Sequence, residues 1–222
     1  MLDSITIEPT GEAQACVIWL HGLGDSGAGF APIVPELKLP KQHGIRFIFP
    51  HAPIRAVTVN QGQTMRAWYD IKTMDLNNRA DETGVLESMV LVSELIEQQV
   101  AQGIKPENIV IAGFSQGGVI ALHLACRSQH RFAGVMALSS YMCKPEKLGK
   151  EKTSTNQDTP FLMHHGEFDE VVPLQAAKQA KQTLSEHGFS VKWQTYRMGH
   201  SLCAQQLADI SYWLRQRLGS AI

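Results

Sequence analysis

The sequence is poor in cysteine, carries almost no excess charge of either sign and has no long apolar run, and each shortage removes a class of protein. Its four cysteines, Cys16, Cys126, Cys143 and Cys203, show no Cys-x-x-Cys spacing, which argues against a zinc knuckle, a dithiol redox motif or a secreted disulfide framework. Free thiols are expected. Formal net charge is −1 and lysine and arginine are dispersed, so the electrostatic footprint of a nucleic-acid binder or of a protein held to an anionic membrane is missing. No stretch approaches the roughly 18 consecutive apolar residues of a spanning helix. The opening Met1-Leu2-Asp3-Ser4 lacks the basic-then-apolar pattern of a signal peptide, and a cytoplasmic protein without an integral membrane segment is expected. What is present is 44% hydrophobic content over 222 residues, enough to bury a sizeable core and suited to one α/β domain spanning 1–222.

Runs rich in Val, Ile and Phe occur at 15–20, 45–49, 109–112, 134–138, 161–163 and 191–196, and most read as strands buried on both faces. Helix-period segments lie between and after them. Val85, Met89, Val92 and Ile96 share a face, as do Cys203, Leu207, Ile210 and Leu214, while Ala177, Ala180 and Leu184 oppose Lys178, Lys181 and Gln182. Alternating strands and helices imply a mainly parallel sheet with helices on both faces. The least regular stretches are 52–79 and 141–159. The second, rich in Lys, Thr, Asn and Gln, is expected to be an exposed loop. The first holds Arg66-Ala67-Trp68-Tyr69-Asp70, whose aromatic pair suggests a pocket wall.

From Ile109 the chain reads Ile-Val-Ile-Ala-Gly-Phe-Ser-Gln-Gly-Gly and then Val119, Ile120, Leu122, Leu124 and Ala125. A strand that enters Gly113-x-Ser115-x-Gly117 and continues as a helix is the context of a nucleophile elbow. The serine occupies a strained turn, so the flanking positions must lack bulk, and the unpaired N–H groups of the helix's first turn face any developing negative charge. Ser115 is poorly nucleophilic alone and needs a base, which in turn needs a carboxylate to fix its tautomer. Reactive groups gather where parallel strands end. After 161–163 comes His164-His165-Gly166-Glu167-Phe168-Asp169-Glu170, and after 191–197 comes Met198-Gly199-His200. Ser115, Asp169, His200 is the chain order of hydrolases of this architecture. Asp169 is preferred over Glu167 and Glu170 because it sits inside the turn on a shorter, stiffer side chain; the plain alternative is a helix cap before Pro173. A second oxyanion donor is expected from the loop after the first core strand, where Gly22 and Gly24 let the Leu23 N–H aim at the same point as the Gln116 N–H.

Competing readings are weaker. Gly22-x-Gly24-x-x-Gly27 matches the register of a dinucleotide loop without the acidic residue at the end of a second strand, and no Lys-Ser/Thr follows as in a phosphate loop. Among nine histidines no His-Glu-x-x-His pair occurs, so no metal and no cofactor is expected. His164 and His165, adjacent at a strand end, should point to opposite faces. Cys203 is expected to be buried rather than reactive.

These residues resemble the small carboxylesterases that include acyl-protein thioesterases and lysophospholipases, α/β-hydrolases without a separate cap domain. The likeness rests on Leu20-His21-Gly22-Leu23-Gly24-Asp25, Phe49-Pro50-His51-Ala52-Pro53, Arg66-Ala67-Trp68-Tyr69-Asp70, Gly113 to Gly118, His165-Gly166 with Asp169-x-Val171-Val172-Pro173, and Gly199-His200-Ser201. It implies Ser115 as nucleophile, Asp169 as acid, His200 as base, backbone oxyanion donors at Leu23 and Gln116, and Trp68 in a loop bordering the acyl pocket. With Ile71 and Met74, Trp68 is expected to form an open apolar groove suited to short or medium acyl chains. The sequence departs from the family at Ser140-Tyr141-Met142-Cys143-Lys144-Pro145, which bears on acyl preference. The expected partner is a small-molecule or lipid-like ester or thioester, with the enzyme a monomer or homodimer; a non-catalytic ligand-binding protein on the same fold is the alternative of a different class.

Overall fold

The computed structural model describes residues 2–73, 75 and 79–222. From the N-terminus run β1 (Ser4–Ile7), β2 (Ala15–Leu20), the short helices α1 (Gly27–Phe30) and α2 (Ile33–Glu36), β3 (Ile45–Pro50), the paired strands β4 (Ile54–Val57) and β5 (Gln63–Arg66), and the long helix α3 (Glu82–Ala101). There follow β6 (Ile109–Phe114), α4 (Gln116–Ala125), β7 (Gly134–Leu138), α5 (Leu148–Glu151), β8 (Phe161–Gly166), α6 (Leu174–Glu186), β9 (Val191–Tyr196) and α7 (Ala204–Arg217). The main sheet has the order β1-β3-β2-β6-β7-β8-β9, parallel except for β1, which pairs antiparallel with β3. The six expected strands are all in it, several running a residue or more further, while β1, β4 and β5 are short and largely exposed or half-buried and left no apolar run to read.

Strands at the centre carry apolar residues on both faces because both are covered. One face packs Ile18, Ile111 and Met163 against Val85 and Val92 of α3, Ile120 of α4 and Leu184 of α6. The other packs Trp19, Val110 and Leu162 against Ile210, Trp213 and Leu214 of α7 and Ala31 and Ile33 beside the short helices. At the edge, β9 alternates half-buried Val191 and Trp193 with exposed Lys192 and Gln194, the period-two pattern of a strand covered on one side. Parallel pairing of β2 with β6 and of β8 with β9 brings their carboxyl ends to one rim of the sheet.

The expected exposed loop at 141–159 is corrected. Tyr141, Met142, Cys143, Leu148, Asn156 and Thr159 are buried, and α5 lies within the stretch. Its polar residues go inside because they complete backbone bonding: Asn156 accepts the Phe132 N–H at 3.0 Å and donates to Ala125 O at 3.1 Å and His130 O at 2.7 Å. A buried amide whose donors and acceptors are matched costs little. Cys203, expected to be buried in the α7 stripe, is half-buried at the N-cap position of that helix.

Two histidines embedded in this core make stability depend on pH. His123 of α4 is buried with neither ring nitrogen partnered among the described residues, and His164 of β8 packs edge-on to Tyr196. Burial pushes each down from 6.5 to about 4. An unfolded histidine therefore takes up a proton near 6.5 while the folded one does so only near 4, so stability is lost as pH falls through that window. The loss is on the order of 3 kcal/mol per histidine when complete. Thermal unfolding should show Tm falling from pH 7 to pH 5, and His123→Leu, which removes one of these groups, should make that fall smaller. An identical fall in the variant would show that His123 is not linked to folding.

Candidate active site

The strand-to-helix turn after β6 sets Ser115 at φ 53 and ψ −117, a left-handed conformation that a non-glycine residue holds only when its surroundings fix it. The fixing bonds are visible: Ser115 N–H donates to Leu138 O at 2.8 Å, and Ser140 Oγ donates to Ser115 O at 2.9 Å. A Cβ on Gly113 would collide with the backbone of Gly117, and one on Gly117 with the Leu20 carbonyl. Both positions must be glycine for helix α4 to start this close to β2 and β6.

His200 and Asp169 arrive from the ends of β9 and β8. His200 Nε2 lies 2.9 Å from Ser115 Oγ, and His200 Nδ1 lies 2.7 Å from Asp169 Oδ2. With the carboxylate accepting from Nδ1–H, the Nε2 lone pair faces the serine hydroxyl. The Asp169 side chain is fully buried. Its Oδ1 accepts the N–H groups of Val171 and Val172 at 2.9 and 2.8 Å, so the turn-capping role and the histidine-orienting geometry use different oxygens of one residue. Burial by itself would raise this carboxyl, but the hydrogen bonds from His200 and Val172 and the charges of His200 and His165 outweigh it and hold it below the usual carboxylate range. Glu167 and Glu170 are exposed. His164 and His165 do face opposite sides of the sheet, the first against Tyr196, the second stacked on Trp193.

Leu23 and Gln116 lie beside Ser115 along one cavity of about 230 Å³, which also touches His200 and Phe114. Among the described residues neither backbone N–H has a hydrogen-bond partner. The loop carrying Leu23 is held by His21, whose Nε2 accepts the Ala52 N–H at 3.0 Å and whose Nδ1–H donates to Gly22 O at 2.7 Å. Trp68 Nε1 donates to His21 O at 2.9 Å, and Gln116 accepts the Trp68 N–H while donating to Tyr69 O. Trp68, expected on the pocket wall, is thus fully buried behind it as the tie between the two donor loops. Tyr69 and Ile71 line the cavity; Met74 lies outside the described residues.

Sequence reading missed the rest of the lining. Arg79 and Tyr141 close the cavity, with the Tyr69 and Tyr141 hydroxyls 2.9 Å apart and the Arg79 guanidinium over the Tyr141 ring. The expected apolar groove is present in Ile71, Phe114, Val171 and Val172, but one wall adds a buried cation and a pair of phenols. Arg79 and Tyr141 sit 62 positions apart in the chain, and no local pattern joins them. A larger hollow of about 470 Å³ between the 141–146 segment and α6 touches none of Ser115, Asp169 or His200.

A doubly covered parallel sheet with a serine in the tight turn after a central strand, facing an imidazole and a carboxylate from later strand ends, defines an α/β-hydrolase. The phospholipase/carboxylesterase family profile matches residues 2–218. Acyl-protein thioesterase 1 of Neurospora crassa is 38% identical over 213 residues, covering 92% of this chain and 87% of that protein. Carboxylesterase SOBER1 of Arabidopsis thaliana is 33% identical over 209 residues, covering 93% and 92%, and its crystal structure superimposes with a TM-score of 0.88 over 93% of this chain and 100% of that one. Acyl-protein thioesterase 2 of Zea mays gives 0.88 at 26% identity, covering 99% and 100%. The chain belongs to the phospholipase/carboxylesterase family of hydrolases. No helix among its described residues is long and apolar enough to cross a membrane.

Proposed function

We propose that this protein, as a single catalytic domain, hydrolyses carboxylic esters or thioesters through an acyl-enzyme on Ser115. The observation that carries this reading is the unbroken hydrogen-bond chain from Asp169 Oδ2 through His200 to Ser115 Oγ, ending in a cavity. His200 Nε2 takes the Ser115 proton as Oγ bonds to the acyl carbon. The carbonyl oxygen, now negative, sits between the Leu23 and Gln116 N–H groups, an arrangement worth several kcal/mol of barrier. His200 then returns the proton to the leaving alcohol or thiol. Water enters, gives its proton to the same nitrogen, and releases the acid. Asp169 stays ionised throughout, stabilising the imidazolium.

A cavity of about 230 Å³ is smaller than those that take drug-sized ligands, which favours short to medium acyl groups. Each methylene that meets apolar wall contributes about 0.8 kcal/mol, so kcat/KM across aryl esters of increasing chain length should climb and then stop where the cavity ends. A palmitoylated peptide thioester belongs in the same series. The names of the Neurospora and Zea relatives favour acyl-protein thioesterase as the second reading, and a maximum at the longest chain or a large preference for the peptide would establish it in place of the first. We infer a cytoplasmic setting, with the protein acting as a monomer or homodimer.

A further inference from the structure

Arginine is almost never fully buried without a partner of opposite charge, because desolvating a guanidinium without compensation is costly. Arg79 lines the cavity beside Ser115 and is only 6% exposed. No carboxylate among the described residues pairs with it. Its Nη1 donates to Val171 O at 2.8 Å and its plane covers Tyr141, while Nε–H is buried with no acceptor among the described residues. Among the described residues, Val171 O is the one acceptor that an Arg79 N–H reaches. Asp25, the carboxylate that also lines the cavity, accepts the Ser26 N–H at 2.7 Å and makes no ion pair with Arg79. The cavity wall therefore holds a positive charge that no described carboxylate pairs with, and two phenols beside it.

The geometry points to an anion-recognition subsite at Arg79: the preferred substrate is an ester that carries a carboxylate or phosphate a few bonds from its reacting carbonyl, and that group supplies the counter-charge that no described residue provides. This deepens the esterase reading and rests on it. A flat guanidinium presents parallel N–H groups matched to carboxylate and phosphate oxygens, and inside a cavity walled by Ile71, Val171 and two tyrosines it is screened less than it would be at the surface.

Two matched pairs of substrates test it and identify where the anion sits. Monomethyl adipate against methyl heptanoate places the charge on the acyl side; hexanoyl glycerol 3-phosphate against monohexanoyl glycerol places it on the alcohol side. In one pair the anionic ester should be preferred by kcat/KM at least about ten-fold, and Arg79→Gln should collapse that ratio by about ten- to hundred-fold, the worth of a charge-assisted bond to a buried partner. The ratio is the readout, whatever the substitution does to neutral esters. Arg79→Lys, which keeps the charge without the fork, should fall between. Wild-type ratios at or below one in both pairs, or ratios that Arg79→Gln leaves intact, would overturn the subsite. Protection against thermal unfolding by adipate and by glycerol 3-phosphate needs no turnover. Protection by either that Arg79→Gln abolishes supports the subsite even if no ester is hydrolysed, an outcome that would sink the esterase reading alone; no protection by either, with no ester turned over, overturns both.

Discussion

Replacing Ser115 by alanine should lower kcat by about 10³ to 10⁶ while leaving substrate affinity within a few-fold. The size follows from how the site is built. Without Oγ there is no acyl-enzyme and His200 has no proton to take, so what remains is water attack assisted by the two backbone donors and by binding, the residue of catalysis that survives loss of a nucleophile elsewhere. Alanine at φ 53 meets the same backbone strain as serine, and the bonds that hold the turn, to Leu138 O and from Ser140 Oγ, use Ser115 main-chain atoms. Folding should thus be preserved. Fluorophosphonate labelling of the wild type should give one adduct, on Ser115, absent from the variant. Retention of more than about 1% of turnover, or an adduct on another serine, would remove Ser115 from its role.

Features fixed by adjacent residues were legible in the sequence, and features fixed by closure of the fold were not. The central strands could be read because both faces of β2 and β6 are covered, leaving uninterrupted apolar runs. The elbow could be read because its steric demands fall on Gly113 and Gly117, two positions either side of Ser115. Asp169 and His200 each follow a strand end, so a search restricted to strand ends finds them. Trp68 was placed in the right loop but on the wrong side of it: composition says that an indole is near a pocket, and only the bond to His21 O shows that it braces the wall from behind. The 141–159 stretch looked too polar to pack because sequence cannot display that the backbone groups of Ala125, Phe132 and His130 wait for Asn156. Arg79 carried no signal at all. A lone arginine in an irregular segment reads as solvated, and its burial depends on Tyr141 and on Val171, which lies 92 residues away.

Asp169→Asn should reduce kcat/KM by about 10² to 10⁴, with Glu167→Gln and Glu170→Gln changing it by no more than a few-fold. The three acids share one turn but not one environment: the two glutamates are exposed, and among the described residues Glu167 accepts only from Thr195 Oγ, at 3.2 Å. The amide introduced by the substitution would keep an oxygen for the Val171 and Val172 N–H groups, so the turn should survive and Tm should change little. Its NH₂ would then replace Oδ2 opposite His200 Nδ1. A donor there favours the tautomer with the proton on Nε2, which turns the imidazole into a donor toward Ser115 and removes the base. The imidazolium that forms during turnover also loses the negative charge 2.7 Å away. The loss should accordingly appear in kcat/KM with Tm nearly unchanged, a split that a merely structural loss would not produce. A larger loss at Glu167 or Glu170, or a loss of activity at Asp169 that tracks a lowered Tm, would assign Asp169 to capping the turn and transfer the orienting role to another acid.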